Sequence, residues 1–287
     1  MRHVTTYAYE ETASVCYNEL RLLPRETPRQ TLHAAAIAVV PRPALQADEV
    51  DWFGNRVTFL TVQEPHGRLT ITATSEVTVA AAAPPAPLDT PAWESVRDAV
   101  AAERSAAGLR ALETTLPSPC VRWDDGVRGL AAAAFPPARP ILDGALALMH
   151  RIHAEFAYDR EATTVSTPVE EVLRERRGVC QDFAHLVIAA LRALGLPARY
   201  VSGYLVTKPP PGQPKLQGAD ASHAWLAVLV PGFGWIDLDP TNDMIPSDEH
   251  VSVAWGRDYG DVSPVKGVVL GGGDHVMTVG VDVEPVE

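Results

Sequence analysis

No stretch of this 287-residue chain approaches the roughly 20 consecutive apolar residues that a membrane span needs. The start, Met1-Arg2-His3-Val4-Thr5-Thr6-Tyr7, has no apolar core of signal-peptide length, so a cytoplasmic protein is expected. Cysteine is scarce. Cys16, Cys120 and Cys180 cannot all pair within one chain, and none stands in a metal-type CxxC spacing. Free thiols in a reducing compartment are the reading. An excess of positive charge is also missing: the formal net charge of -12 argues against nucleic acid or an anionic membrane as partner. A calcium loop of the EF-hand type is absent, and neither a metal nor a cofactor is expected.

What is present is ordinary for a soluble globular protein, 46% hydrophobic and 21% charged, with length enough for two cores. The fold class expected is α+β. Residues 1–82 are read as an antiparallel β-sandwich, 83–91 as a linker and 92–287 as a second unit of helices and strands. Val57–Val62 and Leu69–Val79 are rich in β-branched residues with period-two alternation. Thr31–Val40 reads as a further strand, Gly54-Asn55 as a hairpin turn and His66-Gly67-Arg68 as a second turn. The proline-rich stretch to Pro91 ends in Thr90-Pro91, a helix-start signature for a helix reaching about Ala107. Residues 108–137 are broken by prolines. Pro140–Phe156 has helical spacing, and Thr167-Pro168-Val169-Glu170 reads as a capping box opening a short helix to about 176.

Arg177-Gly178-Val179-Cys180-Gln181-Asp182-Phe183-Ala184-His185 organises the rest. Gly178 suggests a backbone shape that a Cβ would disfavour. From Phe183 to Leu194 the apolar residues are nearly continuous, which marks a helix packed on most sides, with Gly195 as its stop. Cys180 is thereby placed where free N–H groups and the helix dipole favour a thiolate. Strands are expected at 198–206, with Gly203 a possible bulge, and at 222–230, 234–239 and 276–283. Lys208–Gly218 reads as an exposed loop bordering a cleft, and 244–273 as loop-rich.

A cysteine nucleophile needs a base, and the base needs a partner that fixes its tautomer. His223 opens one strand and Asp239 closes the next. Placed on paired strands about 4.8 Å apart and joined by a turn at Pro231, they would lie level with each other. Asp237, on the same face, competes for the third role. Asp182 is read as structural at the helix start, and His185, about 140° around the helix from Cys180, as a packed residue. His150 and His153 could share a metal, but no further ligand motif accompanies them. His3, His33 and His66 are isolated and read as structural, and Cys120 as a passive thiol.

Taken together, Gly178–Ala184, Leu191–Tyr204, Ser222-His223-Ala224-Trp225 and Gly234–Thr241 resemble the transglutaminase-like core. Glu19-Leu20-Arg21-Leu22-Leu23-Pro24-Arg25 and Asp51-Trp52-Phe53-Gly54-Asn55 resemble the β-rich region that precedes this core in bacterial proteins, and Gly256–Gly267 resembles their tail. The resemblance implies a papain-like core with Cys180 as nucleophile, His223 as base and Asp239 as orienting carboxylate. It implies acyl transfer or hydrolysis on peptide or protein amides through a thioester. A peptidase or amidase without amine transfer, and a silent peptide-binding module, remain open at this point.

Overall fold

The structure is a computed structural model that describes residues 1–206 and 222–285. Strand β1 (Arg2–Leu20) is followed by β2 (Gln30–Val40), β3 (Leu45–Val50), β4 (Arg56–Val62) and β5 (His66–Val79). Helices α1 (Trp93–Ala102), α2 (Ala106–Glu113), α3 (Asp125–Ala134) and α4 (Ile141–Glu155) come next. A two-residue strand β6 (Ala157–Tyr158), helix α5 (Val169–Glu175) and strand β7 (Arg177–Gly178) lead into α6 (Cys180–Ala193). Then come β8 (Ala198–Leu205), β9 (Ser222–Val230), β10 (Gly234–Leu238), β11 (His250–Gly256), the one-turn α7 (Tyr259–Val262), β12 (Val265–Gly271) and β13 (His275–Asp282). Among the described residues no helix is long and apolar enough to cross a membrane. The expected loop at Lys208–Gly218 lies outside the described residues.

The sandwich expected of residues 1–82 takes the form of one curled antiparallel sheet, because the long β1 is shared along its length. Its first half pairs with β5 and its second with β4, with the register shifting between Ala8 and Ala13. The other edge of β1 is covered from the far end of the chain: β13 pairs with Arg2–Tyr9 and β12 with Ala13–Leu20. Residues 265–282, grouped by sequence with the second unit, therefore complete the first.

The second unit packs α6 against a four-stranded antiparallel sheet, order β10-β9-β8-β11. Every residue of α6 from Asp182 to Arg192 is buried, which accounts for its nearly continuous apolar run. Each large aliphatic side chain so buried contributes about 1.5–3 kcal/mol. Arg192, only 2% exposed, is tolerated because its guanidinium donates to the carbonyls of Ala198, Leu116 and Arg257 and to Ser118 Oγ. Gly195 ends the helix at φ 76°.

Several local expectations give way to tertiary partners. Thr90 does not cap α1. Its hydroxyl donates to Pro87 O and accepts from Leu142 N–H, and the helix starts after Ala92. That helix stops at Ala102 because Ser105 accepts from Gly108 N–H and opens α2. Thr167 likewise accepts from Thr164 N–H instead of capping α5. His66-Gly67-Arg68 belongs to β5, not to a turn. Residues 244–273, expected to be loops, contain β11 and β12, and 108–137 contains α3.

Strand β11 forms the outer edge of the core sheet, and side-chain amides pair that edge. Gln30 Nε2 donates to Ser252 O at 2.7 Å while its Oε1 accepts from Ser252 N–H at 2.8 Å. Asn55 does the same at Trp255, with Nδ2 to O and N to Oδ1 both at 2.9 Å. Asp51 holds the Asn55 turn by accepting from the N–H groups of Phe53 and Asn55, and it pairs with Arg21 at 3.1 Å. Gln30 and the Asp51–Asn55 motif thus help to dock one unit on the other.

Candidate active site

Helix α6 begins at Cys180 because Val179 is extended and Asp182 caps the turn. Asp182 Oδ2 accepts from Val179 N–H at 2.8 Å and from Thr163 Oγ1–H at 2.6 Å. Burial pushes the Asp182 carboxyl up, against those two bonds. Gly178 is required for a different reason from the one expected: its backbone is not left-handed, but a Cβ there would lie 2.6 Å from Asp182 Oδ2. The left-handed residue is Arg176, at φ 51°. The Cys180 N–H, in the first turn, has no intrahelical acceptor and is the first candidate donor for an oxyanion. His185 points elsewhere. It is buried, accepts from Tyr259 N–H at 3.2 Å, and burial pushes it down to about 4.

Strands β9 and β10 bring His223 and Asp239 together, in a register two residues from the one expected. Leu238 pairs with Leu226 and Asp237 with Ala227, so Asp239 reaches His223 diagonally and not from the level position. The turn runs through Gly232 and Gly234, both left-handed, which moves its centre past Pro231. Even so, Asp239 Oδ2 accepts from His223 Nε2 at 2.7 Å. Burial works to lower the His223 pKa, but the hydrogen bond to Asp239 and the interaction with the Cys180 sulfur outweigh it and push it up to about 10. With Nε2 held by the carboxylate, Nδ1 is left for the sulfur. Asp237 is not part of this group: it pairs with Arg29 at 3.5 Å.

Asp239 is fully buried and takes more donors than His223 alone. Its Oδ1 accepts from the N–H groups of Thr241 and Asn242, and its Oδ2 from Asn242 Nδ2 at 2.7 Å and His250 Nε2 at 3.1 Å. Burial alone would raise its pKa; these bonds, His223 first, hold it well below the usual carboxylate range. Sequence reasoning missed Asn242 and His250. Asn242 stands in the turn motif after Asp239, while His250 opens a strand that was read as loop and carried no signal.

His223, Asp239 and His250 offer three ligand atoms within 4.8 Å of one another. They do not fit a metal. A ligating His250 Nε2 would put its proton on Nδ1, which is buried without a partner, whereas metal-bound histidines donate that N–H to an acceptor. The tautomer with hydrogen on Nε2, donated to Asp239, leaves only an unpaired acceptor. His150 and His153 do not converge either: His150 pairs with Asp243 and His153 bonds Thr241 O at 3.0 Å, so both brace the loop after Asp239. His3, His33 and His66 each bond a neighbouring side chain or carbonyl.

Comparison with known proteins agrees with this frame. The family model of the bacterial transglutaminase-like N-terminal region matches residues 1–78, and that of the transglutaminase-like superfamily matches residues 128–240. A Mycobacterium tuberculosis protein of uncharacterised function is 42% identical over 293 residues, spanning 99% of this chain and 92% of the relative. A Pseudomonas aeruginosa protein-glutamine gamma-glutamyltransferase is 36% identical over 104 residues, which is 35% of this chain and 16% of that one. Among solved structures, a Cytophaga hutchinsonii protein provisionally assigned as a cysteine protease superposes with a TM-score of 0.72 at 21% identity, over 99% of this chain and 92% of that one. The chain belongs to the transglutaminase-like superfamily, with the bacterial N-terminal region ahead of its core.

Proposed function

We propose that the protein is a cysteine enzyme that cleaves or transfers acyl groups at peptide or protein amide bonds, with Cys180, His223 and Asp239 as its triad. The observation that carries this reading is the seat of His223 between a buried carboxylate at 2.7 Å and the Cys180 sulfur, with its pKa pushed up to about 10. At neutral pH the proton therefore resides on His223. The Cys180 sulfur attacks the amide carbonyl carbon, and the carbonyl electron pair moves to oxygen as the tetrahedral adduct forms. His223 then gives its proton to the departing nitrogen, and the adduct collapses to a thioester. Water or an amine next attacks the thioester while His223, now neutral, takes its proton. Asp239 holds the imidazole in place through both halves, and His250 and Asn242 hold Asp239. Cys16 and Cys120 have no such partner, and burial pushes both thiols up. Three free thiols also favour a reducing, cytoplasmic setting.

Hydrolysis and amine transfer share every step up to the thioester. Incubating the enzyme with peptides containing glutamine and lysine, and reading the products by mass spectrometry, separates them. Mass gain of an added amine marks transfer, exchange of ammonia for water marks deamidation, and shorter peptides mark proteolysis. Cys180→Ala is expected to abolish whichever product forms while leaving the fold intact. Product formation by that variant would refute the assignment.

A further inference from the structure

A cavity of about 850 Å³ lies between the α1–α2 hairpin, the β3–β4 turn and the edge of the core sheet, and it contains none of Cys180, His223 or Asp239. We propose that it binds a small organic monoanion, a carboxylate carried on an aromatic or aliphatic body, with Arg199 as its charge partner.

The charge arrangement motivates this. Arg25, Trp255, Arg199 and Trp235 form one stack: the Arg25 guanidinium is 3.1 Å from the Trp255 centroid, Arg199 is 3.6 Å from it, and Arg199 is 4.3 Å from Trp235. Two like charges thus share one indole, and each Nε is buried without a partner. Arg25, 8% exposed, at least donates to Asn55 Oδ1 and Phe53 O. Among the described residues Arg199 makes no hydrogen bond or ion pair at all. Burial pushes Arg199 down to about 9 and Arg25 to about 10, so both stay protonated at neutral pH in surroundings that disfavour the charge.

The nearby carboxylates make no contact ion pair with Arg199, although Asp237 attracts its charge from a distance. Asp237 pairs with Arg29, and Asp51 with Arg21. Glu113 accepts from Trp52 Nε1 at 2.8 Å, and Glu103 accepts from the N–H groups of Arg104 and Ser105. Arg199 is partly buried between two indoles, its Nε has no hydrogen-bond partner and no carboxylate among the described residues touches it, so the cavity of ligand size beside it can supply an anion from outside. The same carboxylates set its charge. Glu103 and Glu113 line the cavity and would repel a dianion, whereas one carboxylate satisfies one free guanidinium. Trp52, Trp235, Val100 and Leu229 line the remainder and suit an apolar body.

Calorimetric titration of the full chain with 3-phenylpropanoate, 3-phenylpropan-1-ol and inorganic phosphate tests this, with tryptophan fluorescence as a second readout. Saturable binding of the carboxylate at one site, at least about tenfold tighter than the alcohol or phosphate, is expected from one charge-assisted contact. Arg199→Met should weaken the carboxylate by about tenfold or more and leave the alcohol unchanged. No saturation at millimolar carboxylate, equal binding of alcohol and acid, or preference for phosphate would each overturn the proposal. The acid–alcohol comparison uses the unaltered protein, so it decides the matter even if Arg199→Met does not fold.

Discussion

Asp237 on β10 and Asp239 just past its end lie two residues apart, yet their surroundings differ. Asp239 meets His223, His250 and Asn242, whereas Asp237 meets Arg29. A carboxylate that fixes an imidazole and stabilises its charged form can be worth about 10⁴ in kcat in a serine protease. A sulfur nucleophile depends on it less, so Asp239→Asn is expected to lower kcat/KM by roughly 10² to 10³. Asp237→Asn should cost less than about tenfold, because Asp237 pairs with Arg29 and attracts Arg199 and makes no hydrogen bond to His223. Steady-state rates on one peptide substrate, after circular dichroism confirms the fold, check both. A larger loss at Asp237 would move the triad.

The same pair links stability to pH. The folded His223 pKa, about 10, lies above the unfolded value of about 6.5, so its contribution is whole below about pH 6.5 and is lost as pH rises through about 10. Asp239, held below its unfolded value of about 3.9, contributes above that pH and loses its contribution as pH falls. Urea unfolding between pH 7 and 10 should therefore show wild-type stability falling, with the fall flattened in Asp239→Asn. An equal slope in both proteins would contradict the pairing.

At the scale of elements, the edge of β11 is closed by two amide side chains, not by another strand. Asn55→Ala would leave the N–H and C=O of Trp255 without those partners, and Gln30→Ala would do the same at Ser252. Asn55→Ala should cost roughly 2–4 kcal/mol, since it orphans two backbone groups at about 1–2 kcal/mol apiece, and Gln30→Ala about 1–2 kcal/mol, since Ser252 O keeps the Arg25 N–H. Equilibrium urea unfolding measures it, and a loss below about 0.5 kcal/mol would mean that water replaces the amide. These contacts also mark where sequence reading ends. Helix α6 and strands β8 to β10 were legible because their burial repeats along the chain. Strand β11 was not, since its outer edge is satisfied by residues some 200 positions earlier and its alternation stands beside Gly, Asp and Pro. Cys180, His223 and Asp239 were singled out by chemistry and order, and the structure joins His223 to Asp239 at 2.7 Å; His250 was lost with its strand. Gly203 was read as a bulge, but the register shift lies opposite, between Ser252 and Ala254, and Gly203 is needed because a Cβ would strike Val251 O at 2.1 Å.

At the scale of the whole molecule, residues from both ends of the chain close one sheet, and that sheet is not independent of the core unit. His3 on β1 bonds Tyr204 Oη on β8 at 2.7 Å. Val281 and Val283, at and just after the end of β13, lie in the same buried cluster as α6 and the core sheet. A chain ending at Ser263 would lose both strands that cover β1, exposing a long row of unpaired backbone groups. It would also lose two buried valines worth about 1.5–3 kcal/mol each, a large share of the 5–15 kcal/mol that holds a typical protein folded. The expected outcome is loss of a cooperative thermal transition and of selective iodoacetamide labelling at Cys180, even though Cys180, His223 and Asp239 are all still present. A truncated chain that melts cooperatively and labels at the wild-type rate would show that the core unit stands alone. If labelling fails only after truncation, the N-terminal sheet is part of what holds His223, Asp239 and Cys180 in place, through the Gln30 and Asn55 clamps on β11.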